Sequence, residues 1–312
     1  MKSLRERDII KICYLFYNEG MSQVEIGAKM EMSRWKVGRV IKDARERGLI
    51  TITINHPQTD LTETEIKIAK QFGIKQAIVV VINEFSGESP LDQIGAAGAQ
   101  YLASIIHRYR VLGVTWGLTM SHVAKNLPKI ETLRLELAQI GGGIGTIEGT
   151  DNPALTTMLG QKMSAKAHVI QAPIIVRNKS IRDTLFKENI IRETLKIAKK
   201  ADIVMFGVGL VASESLLWQS GFLSSKEATI LKKAGAVGAI CGRFFNGHGN
   251  QCWQDLADRT IGLSLNELKM IKHKILIATG KEKLQGILGA LKGSLVDVLI
   301  VDMETAQSLL ER

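Results

Sequence analysis

The amino-acid sequence predicts an α/β fold in which a small helical head precedes a doubly wound, mostly parallel sheet. Three observations carry this. Beyond Gly73, strand-like apolar runs alternate with helical stretches, the pattern of a parallel sheet covered on both faces. Residues 1–55 show helical periodicity that ends in one short alternating run. Between them His56-Pro57-Gln58-Thr59-Asp60 breaks both patterns and divides the chain into units 1–55 and 56–312.

In the head, Ile9, Ile10, Ile12, Cys13, Phe16 and Tyr17 recur at helical spacing until Asn18-Glu19-Gly20 stops the helix. Ser22 and Glu25 form a Ser-x-x-Glu capping box that opens a second helix, apolar at Val24, Ile26 and Met30. Ser33 caps a third, with Val37, Val40 and Ile41 facing inward. That helix carries Arg34, Lys36, Arg39, Lys42, Arg45 and Arg47 against only Asp43 and Glu46. Gly48 ends it, and Leu49 to Ile54 alternates like a strand. Helix, short turn, basic helix and β wing together make a winged helix-turn-helix. Such a helix enters the major groove, where basic side chains meet phosphates and the N-terminal residues reach base edges. The candidate DNA-contact residues are Ser22 and Gln23 on the second helix and Ser33, Arg34, Trp35, Lys36 and Arg39 on the third. Trp35 can stack on a sugar edge, but packing over the helix seam is the favoured role.

In the body, Leu61 to Phe72 reads as an amphipathic helix. The expected strands are residues 77–82, 110–115, 133–140, 202–208, 236–241, 273–279 and 296–301, with no internal repeat.

Composition narrows the function classes. The 312 residues are 45% hydrophobic and 23% charged, ordinary values for a folded protein. A net charge of +10 favours a polyanionic or phosphorylated partner. Cys13, Cys241 and Cys252 are too widely spaced for a disulfide scaffold or zinc site, and the His residues are scattered, so no metal or cofactor is expected. His248, within FFNGHGNQ, reads as a loop residue. No stretch suits a signal peptide or a spanning helix, which points to the cytoplasm.

Ligands of open α/β sheets sit beyond the carboxyl ends of the strands, and four glycine-containing turns lie there. In Gly113-Val-Thr-Trp-Gly-Leu-Thr-Met-Ser121, backbone N–H groups and Thr hydroxyls can cradle a phosphate at the start of a helix near Thr119. This turn has no P-loop Lys, so nucleotide hydrolysis is not implied. Gly141-Gly142-Gly143-Ile-Gly145 admits a ligand or a packed loop equally well. Gly207-Val-Gly209-Leu-Val-Ala212 fits the relaxed pattern G-x-G-x-x-A. The following strand, however, ends in Gly242-Arg243 without the acidic residue a dinucleotide needs, and Glu227 lies in the intervening helix. A sugar-phosphate loop is therefore preferred to a nicotinamide site. Thr279-Gly280-Lys281-Glu282-Lys283 places Lys281 at a helix start, able to reach a phosphate or hydroxyl.

These segments resemble the SorC family of sugar-binding bacterial transcriptional regulators over nearly the whole chain. The likeness is carried by MSQVEIGAKMEMSRWKVGRVIKDARERGLITITI, RVLGVTWGLTM, ADIVMFGVGL, AVGAICGRFFNGHG, ILIATGKEKLQGILGAL and VLIVDMETAQSLL. It implies a DNA-binding head, an effector domain similar in fold to sugar-phosphate isomerases, and a dimer or tetramer. By position it also implies an effector site at Thr115, Gly117, Leu118, Thr119, Gly207, Gly209, Asn246 and Lys281; Gly142, from the glycine run above, is the ninth candidate. Asn246 stands where many members have an acidic residue, Thr279-Gly280 where Gly-Gly is usual, and Glu31 where the helix-turn-helix turn often has Gly.

The expected function is regulation of a carbohydrate-utilisation operon, with a double-stranded DNA operator and a phosphorylated sugar as partners and no membrane association. The alternative is an enzyme of the sugar-phosphate isomerase or deaminase class. Acid–base turnover needs carboxylates or His in the cleft, and these turns offer few, so no catalytic residue is assigned.

Overall fold

A computed structural model describes residues 5–50, 59–132, 134–145, 152–212 and 215–312. The chain separates into two compact units, Met1–Thr59 and Asp60–Arg312.

The first unit contains α1 (Glu6–Tyr17), α2 (Gln23–Lys29) and α3 (Arg34–Glu46), packed around Ile12, Leu15, Ile26, Val37 and Ile41. Local sequence starts the second and third helices. The Ser22 hydroxyl accepts from the Glu25 N–H while the Glu25 carboxylate accepts from the Ser22 N–H, and the Ser33 hydroxyl accepts from the Lys36 N–H. The turn between α2 and α3 is tight enough that a Cβ on Gly27 would meet the Met32 carbonyl at 2.6 Å. Glu31, in that turn, has φ 54°, the left-handed conformation that glycine adopts without strain. Ile10 and Val24, expected on apolar faces, are exposed. The expected wing, Leu49 to Ile54, and the linker from His56 fall largely outside the described residues.

The second unit opens with α4 (Thr59–Phe72), β1 (Gln76–Val80), α5 (Pro90–Ile105), β2 (Val111–Val114), α6 (Leu118–Asn126) and β3 (Glu136–Gln139). It continues through α7 (Asn152–Lys162), β4 (Lys166–His168), α8 (Lys179–Leu185), α9 (Asn189–Ala198), β5 (Ile203–Phe206), α10 (Leu216–Gln219) and α11 (Ser225–Lys233). The remainder is β6 (Ala236–Ile240), β7 (Arg243–Asn246), α12 (Gln254–Arg259), α13 (Leu265–Met270), β8 (His273–Ala278), α14 (Leu284–Lys292), β9 (Val298–Asp302) and α15 (Met303–Leu310).

Seven strands form one sheet in the order β1-β9-β8-β5-β2-β3-β4, and every neighbouring pair is parallel. Both faces are covered. Along β5, Val204 and Phe206 join one apolar cluster and Ile203 and Met205 the other, which explains why these strands read as unbroken apolar runs. From β2 the chain winds outward through β3 and β4, then returns to β5 on the other side and winds outward through β8 and β9. The winding therefore reverses between β2 and β5, and that crevice is where ligands of open sheets bind.

One strand was expected in the wrong sheet. Residues 236–240 pair antiparallel with β7, a strand the apolar pattern did not announce, in a separate hairpin. Its turn is Cys241-Gly242, with φ 51° and 73°, the doubly left-handed geometry of a two-residue hairpin turn. The hairpin is tied to the turn after β5 by reciprocal backbone bonds between Gly209 and Ala239, at 2.8 and 3.0 Å. β4, a short edge strand, was also not anticipated.

Candidate functional site

On the first unit, α3 presents an exposed basic face. Lys42 and Arg47 pair with Glu46 and Asp43, whereas Arg34, Lys36, Arg39 and Arg45 are exposed and have no carboxylate partner among the described residues. Trp35 is 76% exposed, with the Arg34 guanidinium 5.0 Å from its ring centre. The expectation that Trp35 packs over the helix seam is therefore wrong. The seam is filled by Val37, Ile41 and Ala44, and Trp35, Arg39 and Lys42 share one solvent face at helical spacing. Ser22 and Ser33 use their hydroxyls as caps. Gln23 lies over α3, its Oε1 3.0 Å from where a Gly38 Cβ would stand.

In the second unit a pocket of about 310 Å³ opens at the reversal of winding. Its walls are the turns after β2 (Thr115 to Gly117), β5 (Gly207 to Leu210) and β8 (Glu282 and Lys283), closed by Ser215 to Leu217 and by the hairpin tip. Gly117, at φ 128°, is the N-cap of α6, and no side chain caps that helix. The first-turn N–H groups of α6 are thus left for an anion, supported by the positive end of the helix dipole. The Thr115 hydroxyl is buried without a hydrogen-bond partner, and Thr119 is buried in the same wall. An unpartnered buried hydroxyl is costly until a ligand or water satisfies it. Cys241 lines the opposite side, and burial pushes its thiol pKa up to about 12, so it is an inert wall.

Lys283 brings the cation. Burial lowers its pKa while Glu282 and Asp302 act the other way. The turn that carries it is anchored from β9, where the buried Asp302 carboxylate accepts from the N–H groups of Gly280 (3.1 Å) and Thr305 (2.8 Å) and from the Thr305 hydroxyl (2.7 Å). Burial raises the Asp302 pKa, but these bonds outweigh it and hold the group below the usual carboxylate range. Its stabilisation is therefore complete above the unfolded-state pKa and is lost as pH falls through the lowered native value. Asp302→Ala is expected to lower stability by about 2–3 kcal/mol at neutral pH, with a smaller difference in acid, in urea titrations at several pH values.

Of the nine expected effector-site residues, Thr115, Gly117, Leu118, Thr119, Gly207 and Gly209 line this pocket. Gly142, Asn246 and Lys281 are not among its lining residues. Gly142 is a packing glycine, since a Cβ there would meet the Ala172 and Pro173 carbonyls at under 3 Å, and its own carbonyl accepts from Trp116 Nε1 at 2.9 Å. Asn246 Oδ1 accepts from the N–H groups of His248 and Asn250 and closes a turn. Lys281 is exposed and paired with Glu304 at 2.5 Å. Residue reasoning missed Lys283 and the apolar wall of Leu91, Leu216 and Leu217. The signal for Lys283 was present, because it sits at the mouth of α14 beside Gly280.

Among the described residues no helix is long and apolar enough to cross a membrane, and no group of three or more His, Cys, Asp or Glu is placed to hold a metal.

Residues 56–311 match the family of sugar-binding domains. A deoxyribonucleoside regulator of Bacillus subtilis is 31% identical, covering 96% of each chain. The chain belongs to the SorC family. The sorbitol operon regulator of Klebsiella pneumoniae is a further SorC relative, 28% identical over 98% of each chain. The crystal structure of that full-length regulator aligns with a TM-score of 0.76 at 27% identity, covering 99% of this chain and 100% of that one. A DeoR family transcriptional regulator from Listeria monocytogenes aligns with a TM-score of 0.75 at 27% identity, covering 80% of this chain and 100% of that one. These relatives are named as transcriptional regulators, not enzymes.

Proposed function

We propose that this SorC-family chain is a cytoplasmic, homo-oligomeric repressor or activator of a carbohydrate-utilisation operon whose grip on operator DNA is set by a phosphorylated sugar in the pocket. One observation supports the ligand class above all others: the uncapped start of α6, Thr115 with its unpartnered hydroxyl, and Lys283 all line one crevice at the reversal of winding. The phosphate would take the α6 amides with the hydroxyls of Thr115 and Thr119, and Lys283 would add charge-assisted bonds. The apolar wall suits a compact sugar. The carboxylate lining among the described residues is Glu282, which is a poor basis for acid–base turnover. On the head, the unpaired cations of α3 with Trp35 would meet phosphates and base edges. A ligand that binds two oligomer forms unequally shifts DNA occupancy by that inequality, and about 1–3 kcal/mol suffices.

A thermal-shift panel tests the ligand class. Phosphorylated sugars are expected to raise the melting temperature and their unphosphorylated counterparts to leave it unchanged. The rise should be lost in Thr119→Ala. A shift produced equally by the free sugar would remove the phosphate from this reading.

A further inference from the structure

A second concavity of about 850 Å³ opens elsewhere in the second unit, between α8, α9, α12, α13 and the turn at Gly249 to Gln251. Seven cationic side chains line it against two carboxylates; Arg182 pairs with Asp183, Arg192 and Lys196 with Glu193, and Lys199 with Glu267, which leaves Lys200, Lys269 and Arg243 without a carboxylate partner among the described residues. Arg192 and Lys196 of α9 and its C-cap Lys199 recur at i, i+4 and i+7, and Lys200 follows. Arg182 of α8 and Lys269 of α13 contribute from the other elements. A solvated helix face would account for the α9 stripe alone. It does not account for cations on the facing elements or for what lies at the floor.

The floor is Arg243, 5% exposed and without a carboxylate partner. Its guanidinium donates to the carbonyls of Leu263 (3.0 Å), Ala257 (2.6 Å), Thr260 (3.2 Å) and Gly262 (2.9 Å). Four of the five N–H groups of an arginine are thereby used, and the fifth, on Nη1, has no partner among the described residues. The guanidinium is hydrogen-bonded by backbone dipoles alone, and its burial lowers the pKa to about 10. Glu267 and Asp258 act on it only at a distance, and burial outweighs them. Glu267 is taken by Lys199 at 2.9 Å and by the cap of α13, and Asp258 accepts from Gln254. Lys200 and Lys269 have no ion-pair partner among the described residues.

We propose that this cleft is a second anion site, which takes a small molecule carrying several phosphate groups. The three cations without a carboxylate partner, Lys200, Lys269 and Arg243, call for a polyanion, and the concavity suits a compact ligand rather than the flank of a duplex. The site is separate from the sugar pocket but joined to it through the chain. Arg243 directly follows Cys241 and Gly242, which line that pocket from the hairpin turn.

Tripolyphosphate is a suitable probe, titrated calorimetrically into the full chain at 0.15 M salt, with orthophosphate at equal ionic strength alongside. Saturable binding of tripolyphosphate is expected, with orthophosphate weaker. Lys200→Ala/Lys269→Ala removes only unpaired surface cations and should weaken binding at least tenfold without changing the melting temperature of the free protein. Lys283→Ala, in the sugar pocket, should leave this binding within about twofold. The absence of saturable binding would overturn the site, and so would a loss in Lys283→Ala with none in the cleft variant. Competition by short duplex DNA at equal phosphate concentration would overturn it in favour of a nucleic-acid surface. None of these outcomes depends on which sugar phosphate occupies the other pocket.

Discussion

Lys283→Ala is expected to weaken sugar-phosphate binding about ten- to a hundredfold, while Lys281→Ala changes it by less than about twofold. A charge-assisted bond to a desolvated phosphate contributes roughly 1.5–3 kcal/mol, and each 1.4 kcal/mol is a factor of ten. Lys283 lines the pocket, whereas Lys281 is solvated and tied to Glu304, an exposed pair of the kind that contributes little. Calorimetric titration with the sugar phosphate that gives the largest thermal shift reads both variants. The same ligand should lose most of its effect on DNA binding in Lys283→Ala and keep it in Lys281→Ala. If Lys281→Ala carries the loss, the turn after β8 presents the other lysine to the ligand and the assignment of the pocket's cation fails.

The second large effect is expected on DNA. Lys36→Ala/Arg39→Ala should lower affinity for duplexes selected from a random pool by about ten- to a hundredfold at 0.1 M salt. If both residues contact phosphates, the slope of log affinity against log salt should flatten by about one for each lost contact, and the loss should be the same for all sequences. If either reads a base edge, preference at one position relaxes while the slope holds. Both side chains are exposed and unpaired with carboxylates, so the fold of the head should be unaffected. Unchanged affinity in the double variant would mean that α3 is not the helix in the groove.

The features legible in the sequence were those governed by short-range rules. Ser22 with Glu25, and Ser33, announced two helix starts because a cap needs only a hydroxyl at fixed spacing from free N–H groups. The central strands were legible because burial on both faces demands unbroken apolar residues. That same fact hid the hairpin, since Ala236 to Cys241 is equally apolar whether its partner is parallel or antiparallel, and Cys241-Gly242 lacks the usual Asn-Gly or Asp-Gly of such turns. In the pocket, the glycine turns after β2 and β5 were found because they follow strands. Lys281 was preferred to Lys283 because the direction of a side chain in a one-turn helix depends on its surroundings, here Glu304 for one lysine and burial for the other. Trp35 misled because a large apolar side chain usually packs, and on α3 the seam was already filled.

The order of the sheet also bears on how the protein is made. β1 has a single neighbour, β9, with Gln76 opposite Val298. At a synthesis rate of about 5–20 residues per second, the segment carrying β1 leaves the ribosome on the order of 10–40 s before its partner exists. Throughout that interval the apolar segment of β1 is without the partner that its place in the sheet requires. A nonsense or frameshift lesion that removes β9 would therefore leave the whole nascent domain with an open, aggregation-prone flank.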